Sequence, residues 1–132
     1  MEKTRITAQF LASKRHTPFV WGENDCHTIV LELNDSLYNE NSLDAIYKKY
    51  KDVKGCYRLA KTLDAQQYME SLGYTQGQRI IDADIVLVKH KHGYFSHIAL
   101  AGNLYSMNPE KGLVGASVKA FKDIEYTIWR RT

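Results

Sequence analysis

The chain has 132 residues, a mass of 15.2 kDa and a formal net charge of +3 at pH 7. At roughly 100–200 residues per domain, this length fits one domain over residues 1–132 and excludes a multidomain protein. Hydrophobic residues make up 44% and charged residues 25% of the chain, a globular composition that excludes disordered and collagen-like classes. The net charge is much smaller than a nucleic-acid-binding surface needs, so we expect no nucleic-acid partner.

The N-terminal segment argues against export. Residues 1–16 carry five charged side chains around short apolar groups, so they lack the apolar core of a secretory signal. The longest aliphatic run, 85–88, is far shorter than the ~20 residues that cross a bilayer. Two cysteines, Cys26 and Cys56, are too few for a secreted disulfide scaffold. We therefore expect a soluble protein that is made in the cytoplasm, has reduced thiols and has no membrane partner.

Helical periodicity dominates the first half of the chain. Apolar residues at a spacing of three and four predict helices over 4–14, 26–37, 42–51 and 55–72. The second of these follows a loop that ends in Asp25, a good N-cap residue. Cys26 is therefore predicted in the first turn of a helix, on its buried side.

Period-two patterns of β-branched and aromatic residues dominate the second half. They predict strands over 84–91, 95–101, 104–108, 113–121 and 124–129. Helices followed by strands indicate an α+β fold rather than alternating βαβ units. We predict N-terminal helices packed on a roughly five-stranded antiparallel sheet.

A thiol at a helix start has a lowered pKa, because the helix dipole and free N–H groups favour the thiolate. Among the histidines, only His97 lies in an apolar strand, so it is the candidate base for Cys26. If Gly102 and Asn103 form a two-residue turn, Asn108 lies directly opposite His97 across the hairpin. A cysteine, a histidine and an orienting asparagine are the components of a papain-type nucleophilic site.

Three sequence blocks then identify a family resemblance. They are Trp-Gly-Glu-Asn-Asp-Cys at 21–26, Asp-Ala-Asp-Ile-Val-Leu-Val at 82–88 and Ser-His-Ile-Ala-Leu-Ala-Gly-Asn at 96–103. In this order they resemble the NlpC-type cell-wall peptidases of the papain-like fold. They are most similar to small phage-encoded members, often found among tail genes, whose opening motif is Trp-Gly-x-x-Asp-Cys.

The resemblance implies a hydrolase of the thiol protease type that degrades cell walls through an acyl-enzyme on Cys26, with His97 as base and Asn108 as the third polar residue. It places Trp21 and Asp25 at the mouth of the site. The implied partners are peptidoglycan peptides and other bacteriophage tail proteins, with no cofactor and no metal. The implied location is the host cytoplasm on synthesis and, for a viral protein of this kind, the virion tail afterwards.

Two other functions remain open. One is a non-catalytic tail or assembly protein of the same fold, whose groove binds a partner chain; burial of Cys26 favours it. The other is a thiol-dependent acyl or amide transferase, which shares the acyl-enzyme and differs in the acceptor.

Three further features have simple structural interpretations. Cys56 is interpreted as a packing residue, and the lysines at 48–54 as a solvated helix face. His90 and His92 have a zinc-compatible spacing, but no carboxylate or thiol accompanies them in the strand, so no metal site is predicted. The basic residues around them indicate an edge strand protected by charge.

Overall fold

The computed structural model describes residues 2–132, and its helices precede its strands as predicted. No helix in this part of the chain is long and apolar enough to span a membrane. Single 3-10 turns occupy Ser42–Ala45 and Val118–Phe121. The helices are α1 (Glu2–Lys14), α2 (Cys26–Tyr38), α3 (Val53–Ala60) and α4 (Ala65–Ser71). The strands are β1 (Thr75–Gly77), β2 (Ile85–His90), β3 (Gly93–Leu100), β4 (Asn103–Asn108), β5 (Gly112–Ser117) and β6 (Tyr126–Arg130).

The strands form one antiparallel sheet in the order β1-β6-β2-β3-β4-β5. The α+β prediction is confirmed, and the sheet gains a sixth strand in β1. The prediction of an edge strand at the basic residues is wrong, because β2 lies between β6 and β3. Its hydrogen-bonding edges are both occupied, so they need no protection by charge.

Both faces of the sheet are buried. The helix face contacts α2 and contributes Ile85, Leu87 and Ile98 to the main core. The far face carries a smaller cluster of Val86, Val88, Ala99 and Leu104, against which Phe121 packs. Neighbouring residues of β2 and β3 therefore belong to different cores, as the alternation of side chains along a strand requires.

Helix α2 begins where the sequence predicts. The carboxylate of Asp25 accepts hydrogen bonds from the backbone N–H groups of His27 and Thr28, and the Thr28 hydroxyl accepts from the Asp25 N–H. This reciprocal capping box satisfies backbone donors that otherwise lack partners at a helix start. The helix ends at Asn39, whose φ of 54° is left-handed. Local chemistry thus fixes the position of Cys26.

Two predicted helices are shorter than expected. The helix predicted over 42–51 is only a 3-10 turn at Ser42–Ala45, because the Asp35 carboxylate accepts from the N–H groups of Ser42 and Leu43 and holds the chain in a turn. The helix predicted over 55–72 is divided into α3 and α4. Asp64 caps the second by accepting from the Gln67 N–H, which interrupts the continuous helix.

The β3–β4 hairpin has a different register from the predicted one. Ala101 and Gly102 form the turn, with φ of 52° and 80°, and Leu100 pairs with Asn103. Positive φ at both central residues is the type I′ geometry that matches strand twist. The Asp82 carboxylate accepts from the Ala101 N–H at 2.8 Å and so stabilises the turn one residue earlier than the glycine pattern suggests.

This register corrects the predicted pairing of His97 with Asn108. The β3–β4 pairs run from Leu100 with Asn103 to Ile98 with Tyr105 and end there, so Asn108 is not paired with His97. The two strands are predicted correctly, but the turn between them lies one residue earlier than the sequence predicts.

Candidate functional site

The Trp-Gly-x-x-Asp-Cys motif builds a rigid loop before α2. Gly22 has a φ of +77°, and a Cβ there would lie 2.1 Å from the carbonyl oxygen of Tyr50, so only glycine fits. The buried carboxylate of Asp25 accepts from the Gly22 N–H at 2.8 Å and from the Tyr50 hydroxyl at 2.6 Å. Asp25 therefore holds the loop that positions Cys26. It does not line the cavity described below, so the expectation that it lies at the mouth of the site is wrong.

Burial dominates the electrostatics of this loop. It raises the pKa of the Tyr50 hydroxyl far above its ordinary value, and the negative charge of Asp25 raises it further. The hydroxyl therefore stays protonated and remains a donor to Asp25. The pair forms a permanent link between the motif loop and the segment before α3.

Cys26 is partly exposed as a residue, yet its thiol is not activated. Burial raises the pKa of the thiol to about 12, and the backbone N–H of Ser96 and the hydroxyl of Ser106 only partly offset this. The charge of Asp25 also raises the pKa. The thiol is therefore protonated at neutral pH, because desolvation outweighs the helix-start effect that the sequence suggested.

His97 is among the residues that line the cavity described below, but its ring lies on the far face of the sheet. Its Nδ1 is 3.3 Å from the Phe95 carbonyl oxygen, and its ring packs edge-on against Phe121 with centroids 5.4 Å apart. Burial lowers the pKa of this imidazole. Within residues 2–132 no hydrogen bond joins His97 to Cys26. Strand alternation is the reason, since Ile98 packs into the core beneath α2 and its neighbour must point away.

Asn108 and Trp21 have different outcomes. The Asn108 side-chain oxygen accepts from the N–H groups of Glu110 and Lys111, at 2.9 and 3.1 Å, and so closes the turn after β4. It lines the cavity but does not orient a histidine. Trp21 also lines the cavity, where its ring packs edge-on against Phe19 at 4.8 Å.

A second imidazole in the site belongs to His27, the residue after Cys26. Its Nδ1 lies 2.7 Å from the Ser96 hydroxyl, which β3 directs toward α2. Burial lowers the pKa of His27, but hydrogen bonding and charge at Cys56, together with the charge of Asp25, raise it above its ordinary value. Cys56 is 8% exposed and belongs to the core, as its packing interpretation requires, but it also has an imidazole neighbour.

A cavity of about 720 Å³ opens beside these groups. Its size is that of sites for drug-sized ligands. Its polar lining residues include Cys26, His27, Ser96, His97, Ser106 and Asn108. Many apolar side chains complete the lining. The apolar lining includes Phe19, Trp21, Val53, Tyr57, Leu63 and Phe95.

Sequence reasoning set His27 aside as a base in favour of His97, and it assigned no role to Ser96 or Ser106. His27 follows the candidate nucleophile directly, so its place in the first helical turn was a usable signal. Ser96 had no such signal, because apolar residues occupy both faces of β3 and the pattern does not say which face α2 covers. Ser106 lies beyond the last β3–β4 pair, Ile98 with Tyr105, so the hairpin register did not predict its place beside Cys26.

His90 and His92 take part in aromatic stacking. The His90 ring stacks on Phe95 at 4.0 Å, and the His92 ring stacks on Tyr57 at 4.4 Å between centroids. Within residues 2–132 no cluster of three or more histidine, cysteine or carboxylate side chains is arranged to hold a metal ion.

Comparison with protein-family models identifies a family for the chain. No curated protein matches the chain. The model of a domain of unknown function, DUF6950, matches residues 2–124 and thus covers α1 through β5 and the turn that follows. The chain belongs to this family, the domain of unknown function DUF6950.

Proposed function

We propose that the chain binds an extended peptide segment of a partner protein in the apolar cavity, with Cys26 as a lining residue rather than a nucleophile. The observation that carries this proposal is an apolar lining that continues onto exposed residues. Val53 and Ala60 both line the cavity and remain exposed, Val53 to 38%. Apolar surface that extends beyond a cavity favours a macromolecular ligand over a small enclosed one.

The chemistry of the lining supports binding without catalysis. The Cys26 thiol is held neutral by burial, and the strand histidine lies on the other side of the sheet. Aromatic side chains such as Trp21 and Tyr57 supply large contact area and are enriched in protein interfaces. The resemblance to phage-encoded proteins favours another tail protein as the source of the bound segment.

The finer fold assignment belongs to the same proposal. We infer a papain-like, NlpC-type arrangement, in which a helix that begins with the cysteine packs against an antiparallel sheet. Helix α2 and its contacts with β3 and β4 support this inference. Comparison of the chain path with an experimental structure of an NlpC-type peptidase tests it directly.

The test uses a short fluorescein-labelled peptide in which leucine and phenylalanine alternate with serine. We expect saturable binding by fluorescence anisotropy that Val53→Glu weakens about tenfold, because a carboxylate at the rim must be desolvated. Ile81→Glu is the matched control, since Ile81 is 46% exposed and lies outside the cavity. Absence of saturable binding, or equal weakening by both substitutions, rejects the proposal.

A second candidate is a cysteine peptidase or amidase that acts on peptidoglycan peptides, as the resemblance implies. One observation favours it: His27, Ser96 and two thiols line the same cavity, and His27 is hydrogen-bonded to Ser96. A thiol, an imidazole and a polar orienting group are what acyl-enzyme chemistry requires. In this peptidase candidate, His27 replaces His97 as the base. A transferase would use the same residues and differ only in the acceptor of the acyl group.

Purified muropeptides distinguish this candidate from simple binding. A hydrolase releases new amino groups, detectable by mass spectrometry, and loses activity in Cys26→Ser and His27→Gln while His97→Gln remains active. A transferase gives the same pattern with an amine acceptor and joins the acyl group to it. Binding of muropeptides without any covalent change removes both catalytic candidates.

A further inference from the structure

A second concave surface adjoins the apolar cavity and is strongly basic. Its volume is about 580 Å³. Tyr50 and Leu59 line both cavities, so the two share part of their walls. We call this surface the basic concavity and define it by its cations Lys48, Lys49, Lys51, Lys54 and Arg58.

The positive charge here exceeds that of the whole chain. Residues 48–58 carry five cations and one carboxylate, a net charge of +4, whereas the chain has +3. All five side chains are exposed, and within residues 2–132 none of them takes part in an ion pair. The carboxylate, Asp52, accepts from the Gly55 N–H as the cap of α3. The positive potential of the surface is therefore largely uncompensated.

The backbone fixes the basic concavity relative to the cavity. Lys48 has a φ of 58°, a left-handed conformation that residues with a Cβ rarely adopt. Its N–H donates to the Gly22 carbonyl at 2.8 Å, and the Tyr50 hydroxyl is held by Asp25. The cations are thus attached to the same loop that precedes α2. A solvated helix face, the simplest interpretation of these lysines, is wrong for 48–51 because that segment is not helical.

We propose that the segment bound in the cavity is acidic on one flank, with apolar side chains in the cavity and carboxylates on the basic concavity. This inference rests on the proposed function and names the chemical class of its partner. Charge complementarity at the rim of an interface raises the association rate and selects the partner, while the apolar contacts supply most of the affinity. The exposed Val53, in the first turn of α3, lines the cavity on a helix that also carries Lys54 and Arg58.

The test compares three labelled peptides with the same alternating apolar core and a short tail of glutamate, glutamine or lysine. At low salt we expect the glutamate tail to bind roughly tenfold more tightly than the glutamine tail, as a few exposed ion pairs provide. The lysine tail should bind most weakly. High salt should remove the difference between tails, because screening acts on exposed charges.

Two double variants locate the effect. Lys49→Glu with Lys54→Glu should abolish the preference for the glutamate tail. Lys119→Glu with Lys122→Glu changes the net charge equally but alters exposed residues outside both cavities, and it should keep the preference. Loss of the preference in both double variants would indicate a general charge effect and overturn the inference.

The outcomes separate this inference from the proposed function. Equal affinity for the three tails, with weakening by Val53→Glu retained, overturns the acidic flank and leaves peptide binding intact. Failure of every peptide to bind overturns peptide binding itself. An oligothymidylate of equal charge serves as competitor, and displacement of the glutamate peptide by it as efficiently as by unlabelled peptide would mark a polyanion site and overturn the inference.

Discussion

Two adjacent residues of β3, Ser96 and His97, lie on opposite faces of the sheet and in different environments. Ser96 points toward α2, where its hydroxyl meets His27 at 2.7 Å. His97 points to the far face, where its ring packs against Phe121. His97, which the sequence pattern favours as the base, therefore lies away from the Cys26 thiol. Ser96, which the pattern does not single out, lies beside it. The parity of a strand position decides which residues can act together.

The faces also differ in the groups that they bury. The helix face adjoins a network of polar groups around Cys26, each held by hydrogen bonds, beside a large cavity. The far face buries small apolar side chains such as Val86 and Ala99. A ligand site belongs on the helix face, whereas the far face contributes to stability. The following predictions test this division, from the largest expected effect to the smallest.

The largest effect is on thiol reactivity. The rise of the Cys26 pKa from 9.0 to about 12 lowers its thiolate fraction near neutral pH about a thousandfold. Iodoacetamide should therefore modify Cys26 far more slowly than an unperturbed thiol, as followed by mass spectrometry of the native protein.

The control for this prediction is the strand histidine. His97→Ala should leave the alkylation rate of Cys26 unchanged, because the two side chains lie on different faces. Rapid alkylation of Cys26 in the wild type that disappears in His97→Ala would contradict the division of the sheet and restore the predicted dyad.

The main core should cost more to disrupt than the far-face cluster. Leu87→Ala removes a side chain that is 1% exposed beneath α2, and the expected loss of unfolding free energy is about 2–5 kcal/mol. Val88→Ala, on the far face, should cost about 1–2.5 kcal/mol. Urea unfolding monitored by circular dichroism measures both, and the reverse order would mean that the far face carries the dominant core.

The motif aspartate should contribute more than an ordinary helix cap. Asp25→Ala leaves the buried N–H of Gly22 and the hydroxyl of Tyr50 without their acceptor, so we expect a loss of about 3 kcal/mol. Asp64→Ala is the matched control, because Asp64 caps α4 while exposed and should cost about 1 kcal/mol. Equal losses of unfolding free energy in the two variants, measured by thermal unfolding, would mean that Asp25 acts only as a helix cap.

The smallest effect distinguishes the faces by histidine titration. Burial lowers the pKa of His97, so the unfolded chain binds more protons in acid, and the stability from this group is lost as the pH falls through its folded pKa. For His27, burial lowers the pKa, but the neighbouring Cys56 raises it more. Its contribution is therefore present below the unfolded pKa and is lost as the pH rises through the folded one.

Proton NMR titration of the two imidazoles measures these directions. We expect the His97 pKa below and the His27 pKa above the ordinary value of about 6.5. Cys56→Ala should lower the His27 pKa and leave that of His97 unchanged. A response of His97 to this substitution would place both rings in one site.

Local patterns predicted much of the fold. The start of α2 at Cys26, its Asp25 cap and the approximate positions of β2 to β4 all depend on neighbouring residues, so they were accessible from the sequence. The divided helix after residue 55 was less accessible, because Asp64 competes locally with a continuous apolar stripe. The loop at 42–51 depends on Asp35 of the preceding helix, which periodicity does not record.

The candidate site was predicted only in part. Cys26, Trp21, His97 and Asn108 are all among the cavity-lining residues, but His97 makes no hydrogen bond to Cys26 within residues 2–132 and Asn108 closes a turn. The hairpin error arose because Asp82 holds Ala101 from another segment of the chain. Turn propensities depend only on the residues within the turn, so they do not include an acceptor such as Asp82 from another segment.

The sequence by itself determined that helices precede an antiparallel sheet and that a capped helix begins at Cys26, because capping and periodicity act over a few residues. The tertiary structure alone decided that Ser96 rather than His97 faces that helix. Residues 85–88 and 98–99 are buried on both sides of the sheet, so their hydrophobic pattern has no preferred parity. Only the packing of α2 against one face selects the side chains that meet the thiol.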